Sequence, residues 1–589
     1  MAGDPPTHAP AGSKAALVVL VTLVVLSPWP FGSAHLRTTQ AIAIVSLATA
    51  LGAFLWDASR AQLQLPPRAL LGPLVGLWAL AVFQLIPLPG GFHHWLAPGS
   101  AAVWHPDVPA AVAVLGLGPH PISLYPEATG RWLAFATGVV ALALAAAPAL
   151  HDRLLLLRAS ISVVTGGLLI AVYGLVARLA FGDKLYGFLA VPTIAPFGPF
   201  VSKNHFAGYV EMTACLAVGL AVGLADEARR GPAPLSWLDS HRARWVVVAW
   251  GTAGVLVLAV GVSLSRGGVV SLVAGLIMLV AIRFWTRRHA PGSPRLLAVG
   301  AASLLVAAIA VASVLPSDAR SRVSTLFSIG TRGPDPFRLG VWRDSLRLVA
   351  ASPIVGSGLG AFEDALPRFK TAAGDHRVEH AENDYLEVLA EGGGVAGILA
   401  GVAGISLIGL GLRRLRAETH RLARGLGAGA LAGVIALLAH SAYDFNLRIP
   451  SNALLFVLLV AFVLGPAGST AGVRLAAVCL VFLLAASALA ILTPWREPRV
   501  DTAQLVRASV VPTAGLRRQS LENAGIVYLR KRPADAWAWV VQGWIRDVGS
   551  PADAADLAAW GLRLDPRHGA LRSAAARAGF RSLEPVTAP

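Results

Sequence analysis

The sequence predicts an all-α polytopic membrane protein with about 13 transmembrane helices and a small helical domain at its C-terminus. Composition is the first observation behind this fold class: hydrophobic residues make up 55% of the 589-residue chain, and charged residues make up only 14%. A soluble domain carries about 25% charged residues. The mean hydropathy of +0.64 agrees. In addition, apolar stretches long enough to cross a bilayer recur along most of the chain.

These apolar stretches define the predicted membrane domain, residues 1–495. They are residues 14–29, 39–56, 68–88, 130–150, 155–180, 205–225, 245–264, 267–284, 296–315, 386–412, 426–443, 452–464 and 475–493. A long polar loop, residues 316–382, separates the ninth stretch from the tenth. The first stretch lacks a small-residue cleavage pattern followed by a polar region, so we expect an uncleaved span and not a removed signal peptide.

The net charge of +17 is carried largely by arginines in short loops after the even-numbered stretches, among them Arg60, Arg153 and Arg413. By the positive-inside rule these loops are cytoplasmic. The N-terminus is then cytoplasmic, whereas loop 316–382 and the tail after residue 493 are extracytoplasmic. Because the charge follows topology, we interpret it as an orientation signal and expect no nucleic-acid partner.

Residues 496–589 form the predicted C-terminal domain, which is soluble, helical and extracytoplasmic or periplasmic. Helical periodicity runs through residues 521–529, 534–548 and 552–564. Two helical hairpins of this size, with Ala-rich faces, resemble tetratricopeptide units. A small helical cap is the alternative interpretation, and the sequence does not separate the two.

The most informative polar segment runs from Glu379 to Gly394 and leads directly into an apolar stretch. Ionisable groups at the edge of a bilayer are costly to keep there, so they are candidates for function. His380, Asp384 and Glu387 are spaced i, i+4 and i+7. They share one helical face if the helix has already begun at His380.

Two polar clusters precede that segment. Lys203-Asn204-His205 enters the sixth span, where Lys and His are also common as interfacial anchors. Ser265-Arg266-Gly267-Gly268 joins the seventh and eighth spans with almost no loop, so we expect Arg266 at or inside the outer membrane surface. A buried guanidinium needs an anionic partner. No carboxylate is near in sequence, which leaves a distant side chain or an anionic ligand.

A third cluster predicts an amphipathic helix, because Arg338, Trp342 and Leu346 recur every four residues, as do Arg343 and Arg347. Such a helix either lies on the membrane with its arginines toward lipid phosphates or presents them to a phosphate or diphosphate ligand. Arginine grips such groups through two parallel hydrogen bonds.

The fourth cluster lies between the eleventh and twelfth spans. His440 and Asp444 are one helical turn apart if the helix persists to Asp444. This spacing fits a structural hydrogen bond as well as a catalytic role, and the sequence leaves both open.

In their order, these segments resemble the O-antigen ligase and O-antigen polymerase family of membrane proteins. The resemblance covers about residues 204–464, and it depends on the order of short motifs around a large outward loop. The motifs are Asn204-His205-Phe206-Ala207-Gly208, Ser265-Arg266-Gly267-Gly268, Arg338 with Trp342, Pro353 with Gly356-Ser357-Gly358-Leu359-Gly360, His380 with Asn383-Asp384-Tyr385-Leu386, Ala390-Glu391-Gly392-Gly393, and His440 with Asp444.

Family members resemble C-type glycosyltransferases, which need no nucleotide sugar. The resemblance implies a donor glycan on undecaprenyl diphosphate, an acceptor hydroxyl on a lipid, glycan or protein, and a place in the bacterial inner membrane. The family sets arginines against the diphosphate; Arg266 and Arg338 match by motif, and Arg343 is a further candidate. Residues implied to support the site are Lys203, Asn204, His205, Asn383, Asp384, His440 and Asp444.

The family also places a histidine of the long loop near the reacting centre, as the proposed base. Many members read His-Asn-Asp-Tyr-Leu, whereas this chain has Glu382 in the first of those positions and its nearest histidine, His380, two residues earlier. The sequence leaves open whether His380 or Glu382 is the base. Arginines supply positive charge for a diphosphate leaving group, and the outward loops contain no compact metal-binding signature. We therefore expect neither a metal nor another cofactor.

Ligase and polymerase differ only in the acceptor, which the sequence does not identify. The tail favours an exopolysaccharide polymerase, or an enzyme coupled to other polysaccharide-assembly proteins, because helical repeats recruit partners. The alternative functions are a membrane transporter of a small anion such as bicarbonate and a non-catalytic assembly protein. A transporter is expected to have ionisable groups at the membrane midplane, whereas those in this sequence concentrate at one face.

Overall fold

The computed structural model describes residues 9–190, 195–228, 243–286, 336–372, 377–465, 469–470, 515–546 and 550–577, with a few single residues between 478 and 493. The predicted ninth span lies outside the described residues, as does most of the thirteenth. Part of loop 316–382 and the first part of the predicted tail domain also lie outside them.

The described residues form mainly α-helices. In chain order these are α1 (Ala11–Leu26), α2 (Leu36–Ser59), α3 (Arg68–Leu85), α4 (Gly90–Leu96), α5 (Pro98–Trp104), α6 (Pro109–Leu115), α7 (Pro126–Ala146), α8 (Arg153–Phe181), α9 (Lys203–Ala228), α10 (Ala243–Val262), α11 (Arg266–Thr286), α12 (Pro336–Ala351), α13 (Phe362–Ala365), α14 (Asp384–Ala417), α15 (Arg421–His440), α16 (Pro450–Leu464), α17 (Gly515–Leu529), α18 (Ala536–Arg546), α19 (Pro551–Leu564) and α20 (Gly569–Arg577). Short 3₁₀ turns occur at Phe31–Ser33, Ala147–His151, Leu366–Phe369 and Asn446–Arg448. Two small antiparallel pairs join β1 (Gln64–Leu65) to β4 (Ser469–Thr470), and β2 (Lys184–Leu185) to β3 (Leu189–Ala190).

Nine helices among the described residues are long and apolar enough to cross a membrane. They are α2, α3, α7 with the 3₁₀ turn that follows it, α8, α9, α10, α11, α14 and α15. The shorter helices α1 and α16 are also apolar. Each of these helices coincides with a predicted span, since only a helix satisfies the backbone of a single apolar segment in lipid. The all-α polytopic class is thereby confirmed, while the count of about 13 and the orientation stay predictions.

The chain divides into two compact units. Unit 1 comprises Met1–Gly72, Phe135–Gly333 and Val402–Ala488, and unit 2 comprises Pro73–Ala134, Pro334–Gly401 and Leu489–Pro589. The C-terminal tail thus belongs to the same compact unit as two earlier segments of the chain. The domain boundary near residue 495 stays a prediction.

Helix α9 lies at the centre of unit 1, and 94% of its most apolar window is buried. It packs closely on α15 because both helices carry glycine at the contact. A Cβ atom on Gly219 would lie 2.6 Å from the carbonyl oxygen of Gly425 and 2.7 Å from the Cα atom of Gly429. Small residues allow helix backbones to approach this closely in membranes. Polar side chains of α9 are therefore held in the interior of unit 1.

In unit 2, helices α17 to α20 pack against segments that come much earlier in the chain. The tail residues Trp539 and Leu557 share one hydrophobic cluster with Trp104, Leu115 and Phe362. The helices that periodicity predicts in the tail are present, with α20 in addition. Burial of their apolar faces in this cluster stabilises them, since isolated helices of this length are marginal in water.

A buried ion pair also holds the tail in unit 2. Nε and Nη2 of Arg532 donate to Oδ1 of Asp364 at 3.1 and 2.7 Å, and both side chains are 5% exposed. The same guanidinium lies 4.2 Å from the centre of the Tyr125 ring. Burial raises the pKa of Asp364, and the nearby Arg532 opposes that rise.

Replacing Arg532 by alanine is expected to lower the free energy of unfolding by about 3 kcal/mol, because Asp364 stays buried without its closest cation. Arg563 is a matched control, since its pair with Asp107 at 2.8 Å is exposed on both sides. We expect Arg563→Ala to change stability by less than about 1 kcal/mol. Thermal unfolding of both variants in detergent tests this prediction. Equal losses would contradict it.

Four histidines cluster between α3 and α7 in unit 2. The ring centre of His105 lies 5.4, 5.6 and 5.2 Å from those of His93, His94 and His120. His93 is fully buried. Burial, and then the neighbouring His105, lowers the pKa of His93 to about 4. Burial also lowers the pKa values of His105 and His120.

Acidification is therefore expected to destabilise this unit. A histidine whose pKa is lowered by folding binds protons better in the unfolded chain, so its stabilising contribution is lost as the pH falls from about 6.5 toward 4. When the pH falls from about 7.5 to 5, the free energy of unfolding of His93→Gln is expected to fall by about 2 kcal/mol less than that of the parent. Glutamine retains a polar group near Ser100, which contacts His93 at 3.1 Å. Unfolding measured at both pH values would contradict the prediction if parent and variant lose the same amount.

Candidate active site

The segment that the sequence singled out ends in a helix cap. The backbone N–H groups of Tyr385 and Leu386 donate to Oδ1 of Asn383 at 2.9 and 3.1 Å, as an N-cap residue requires. Helix α14 therefore begins at Asp384. His380 precedes the helix, so the expectation that it shares a helical face with Asp384 and Glu387 is wrong. Asp384 and Glu387 themselves are buried.

His380 nevertheless contacts Glu387 across this cap. Nδ1 of His380 lies 2.8 Å from Oε1 of Glu387, and the backbone N–H of Ala381 donates to Oε2 at 2.9 Å. The Glu387 side chain is 1% exposed and the His380 side chain 28% exposed. A buried carboxylate at Nδ1 orients the imidazole and stabilises its protonated form. When Nδ1 of a neutral imidazole carries the proton, the acceptor lone pair is on Nε2.

Glu382 is held differently, by helix α12. Its Oε2 atom lies 3.0 Å from Nη2 of Arg338, with both side chains about one-quarter exposed. The indole N–H of Trp342 donates to the Glu382 carbonyl at 3.3 Å. Glu382 also has a positive φ of 54°, which is unusual for a residue with a side chain. Its carboxylate already accepts from a guanidinium, so taking up a proton weakens an existing ion pair.

The buried face of α12 differs from the predicted repeat. Val341, Asp344 and Leu348 are buried, whereas Leu346 is 54% exposed. Asp344 is buried because its carboxylate accepts from the backbone N–H and the hydroxyl of Thr371 at 2.9 and 2.8 Å. The pattern of Arg338, Trp342 and Leu346 therefore does not mark the packed face. Arg343 is exposed on this helix.

Hydrogen bonds from Gly358 and Gly394 join the turn after α12 to a break in α14 at Gly393. Gly393 interrupts the helix with φ 64° and ψ −167°, and the next N–H, of Gly394, donates to the carbonyl of Pro353 at 2.7 Å. In return, the N–H of Gly358 donates to the carbonyl of Glu391 at 2.9 Å. The Gln84 amide donates to that carbonyl as well, at 2.8 Å. This interlock fixes the first turns of α14, which carry Glu387.

A second polar site lies within unit 1, where three of the sequence clusters meet. Nδ2 of Asn204 donates to Oδ2 of Asp444 at 2.6 Å, and the Ser265 hydroxyl donates to Oδ1 of Asn204 at 2.8 Å. Nε2 of His205 lies 3.2 Å from Oδ1 of Asp444. Asn204, His205, Ser265 and Asp444 thus form one network, and their role in supporting a site stays a prediction. Lys203 begins α9 and is half-buried.

His440 and Asp444 are not one helical turn apart. Helix α15 ends at His440, and a turn separates it from Asp444. Nδ1 of His440 instead lies 3.2 Å from both carboxylate oxygens of Glu211. Glu211 and His440 are 0% and 1% exposed. The expectation that the ionisable groups concentrate at one face is therefore incomplete, because Glu211 lies inside the membrane-spanning helix α9.

Arg266 is the first residue of α11, and its side chain is exposed. The guanidinium is therefore not buried within the protein, while its place at the outer membrane surface and its partner, a distant side chain or an anionic ligand, stay predictions. The small residues that follow explain the difference. Gly267 and Gly268 form the packed side of the turn, where Cβ atoms would lie 2.8 Å from His440 and 2.5 Å from Ala207. The arginine side chain is left on the open side.

Sequence reasoning missed Glu211, although it did single out most of its neighbours. Glu211 lies within the apolar stretch 205–225, and its partner is 229 positions away. A usable signal was present, because a single carboxylate inside a span is itself a functional candidate. Glu387 belonged to the predicted cluster, but only the structure shows that it holds His380.

The fold and these two sites define a multi-pass membrane protein with buried acid–histidine pairs and arginines near the ends of its apolar helices. Residues 251–401 match the model of the family described as O-Antigen ligase. This segment is therefore similar to that family, and the resemblance that the motifs predicted is confirmed. Comparison with curated proteins gives no match. Glycan transfer of the ligase or polymerase type is the general activity that this family supports.

Proposed function

We propose that this protein transfers a glycan from undecaprenyl diphosphate to an acceptor hydroxyl at the outer face of the bacterial inner membrane. The observation that carries the proposal is the His380–Glu387 pair, together with the contact of nearby Glu382 with Arg338 of helix α12. It supplies an oriented base and a source of positive charge within one compact unit. These are the two groups that displacement of a diphosphate from a sugar requires.

In the proposed reaction, Nε2 of His380 takes the proton from the acceptor hydroxyl. The acceptor oxygen forms a bond to the anomeric carbon, the bond from that carbon to the diphosphate oxygen breaks, and undecaprenyl diphosphate leaves with the electron pair. Glu387 holds the imidazole by Nδ1 and stabilises the imidazolium that forms. The base role falls to His380 because Glu382 already pairs with Arg338 at 3.0 Å.

Arginines are the proposed diphosphate ligands. Arg338 and the exposed Arg343 lie on α12, and Arg266 begins α11. Glu382 holds Arg338 in position, and a guanidinium is suited to binding phosphate oxygens. Because guanidinium groups stabilise the charge of the leaving diphosphate, the proposal needs no divalent cation. Asn383 and Asp384 support the site through the start of α14.

The acceptor is a lipid, a glycan chain or a protein. A lipid or protein acceptor makes the enzyme a ligase, and a growing glycan makes it a polymerase in lipopolysaccharide or exopolysaccharide synthesis. Tail helices α17 to α20 are proposed to contact other polysaccharide-assembly proteins, as the resemblance to tetratricopeptide units suggests.

Membranes that contain the protein and undecaprenyl-diphosphate glycan test the proposal when each acceptor class is supplied in turn. A ladder of glycan lengths identifies a polymerase, and a single addition to a lipid or protein identifies a ligase. If the donor stays intact with every acceptor, the transporter or the assembly protein becomes the better interpretation. Loss of transfer in Arg338→Ala, but not in Arg347→Ala on the exposed side of α12, supports a specific diphosphate contact.

A further inference from the structure

Glu211 is a carboxylate in the interior of a membrane-spanning helix. It lies in α9, eight residues after Lys203, and is fully buried. A helix rises about 1.5 Å per residue, so the carboxylate sits roughly 12 Å from the start of the helix. Keeping an ionisable group there is costly. This cost points to a role that an apolar residue cannot fill.

The carboxylate fixes His440. Both oxygens of Glu211 lie 3.2 Å from Nδ1 of His440, so the ring is held with Nδ1 toward α9. Its opposite nitrogen, Nε2, points to the start of α11. A Cβ atom on Gly267 would lie 2.8 Å from Nε2, so the imidazole occupies the space that a side chain at position 267 needs.

Gly267 belongs to the turn that carries Arg266. The hydroxyl of Ser265 accepts from the backbone N–H of Gly268 at 3.2 Å and donates to Asn204 at 2.8 Å. The turn is therefore tied to α9 on one side by Asn204 and supported on the other by His440. The contact with Asn204 is a direct hydrogen bond between the turn and α9. The contact of Gly267 with His440 connects the turn to α9 through the Glu211–His440 pair.

We infer that Glu211 is a positioning residue, which acts through His440 to set the turn of Ser265 to Gly268 and thereby Arg266. This inference builds on the proposed function in one respect, the contact between Arg266 and the donor diphosphate. If the Glu211–His440 pair only stabilises the fold, its loss weakens ligand binding whether or not Arg266 is present. If the pair positions Arg266, its loss weakens binding only when Arg266 is present.

A double-mutant cycle separates these two roles. The readout is the dissociation constant of undecaprenyl diphosphate for the full-length protein in nanodiscs. We expect Glu211→Ala to weaken binding about tenfold, or ~1.4 kcal/mol. In an Arg266→Ala background, the same substitution is expected to weaken binding less than about twofold. Glu211→Gln, which retains an acceptor for Nδ1, is expected to restore most of the affinity.

Asp226→Asn is the matched control, because Asp226 is also a buried carboxylate of α9 and pairs with Arg283 at 2.6 Å. It is expected to lower the unfolding temperature without changing the dissociation constant. A second test uses the contact itself. Gly267→Ala is expected to weaken binding because its methyl group meets the imidazole of His440, and His440→Ala is expected to weaken it through the same contact, so the double variant is expected to lose less than the sum of the two losses.

The inference is overturned if Glu211→Ala weakens binding equally with and without Arg266, or if the losses from Gly267→Ala and His440→Ala add in full. It is also overturned if Arg266→Ala leaves binding unchanged. A separate assay of glycan transfer distinguishes failure of the proposed function. Binding that follows this pattern in a protein that transfers nothing contradicts the transferase proposal and retains the role of Glu211.

Discussion

Replacing His380 by alanine is expected to lower glycan transfer by about 10²- to 10⁴-fold, the usual contribution of a positioned general base. Glu382→Gln is expected to lower it far less, because the neutral amide retains an acceptor for Arg338. The two residues were equal candidates by sequence. Their contacts separate them: His380 is oriented by the buried Glu387 at 2.8 Å, whereas Glu382 pairs with a cation at 3.0 Å. Initial rates in membranes with equal amounts of protein measure the difference.

Two controls make this comparison specific. His94 is an exposed histidine of α4 in the same unit, and His94→Ala is expected to retain the rate of the parent. Glu387→Gln removes the charge that stabilises the imidazolium while retaining the size of the side chain, so we expect an intermediate loss. If Glu382→Gln fails and His380→Ala retains activity, then Glu382 is the base and the proposed mechanism is wrong.

Replacing Gly393 by alanine is expected to destabilise the protein by roughly 3 kcal/mol or more, the largest stability effect we foresee. Gly393 has φ 64° and ψ −167°, a conformation that is essentially limited to glycine. In addition, its Cβ atom would lie closer than 3 Å to the carbonyl group of Ile354. Backbone atoms cannot move aside as a flexible side chain can. The unfolding temperature and the yield of folded protein in detergent measure the loss.

Gly401 provides the control within the same helix, because it has open space where a side chain would be added. Gly401→Ala is expected to be neutral or to stabilise by up to about 1 kcal/mol, since alanine favours helix. Gly356→Ala is expected to resemble Gly393→Ala, as Gly356 has φ 69° and faces the backbone of Glu391. Equal stability of the Gly393 and Gly401 variants would contradict the interlock.

The membrane helices were predictable because each depends on its own apolar sequence. The start of α14 was also predictable from the local sequence, because Asn383 is a residue type that commonly caps a helix N-terminus. The cap shows that the helix begins after His380, so the condition for a face shared with Asp384 and Glu387 is not met. The contact from His380 to Glu387 spans seven positions and is made by the chain that precedes the cap.

The polar networks of unit 1 were less predictable, because their partners are far apart in sequence. Asn204 meets Asp444 across 240 positions, and Glu211 meets His440 across 229. No periodicity within a single helix indicates such pairs. The exposed position of Arg266 follows from the packing of Gly267 against His440, so it also depends on a distant segment.

In the proposed reaction, glycan leaves a lipid diphosphate and joins a hydroxyl without help from a metal. The most direct measurement uses purified protein in liposomes that contain undecaprenyl-diphosphate glycan and one acceptor, with EDTA present. Mass spectrometry then follows both products. We predict one free undecaprenyl diphosphate for each glycan transferred, at a rate that EDTA does not change. Intact donor, or a transferred glycan that retains the diphosphate, would contradict the proposed transfer.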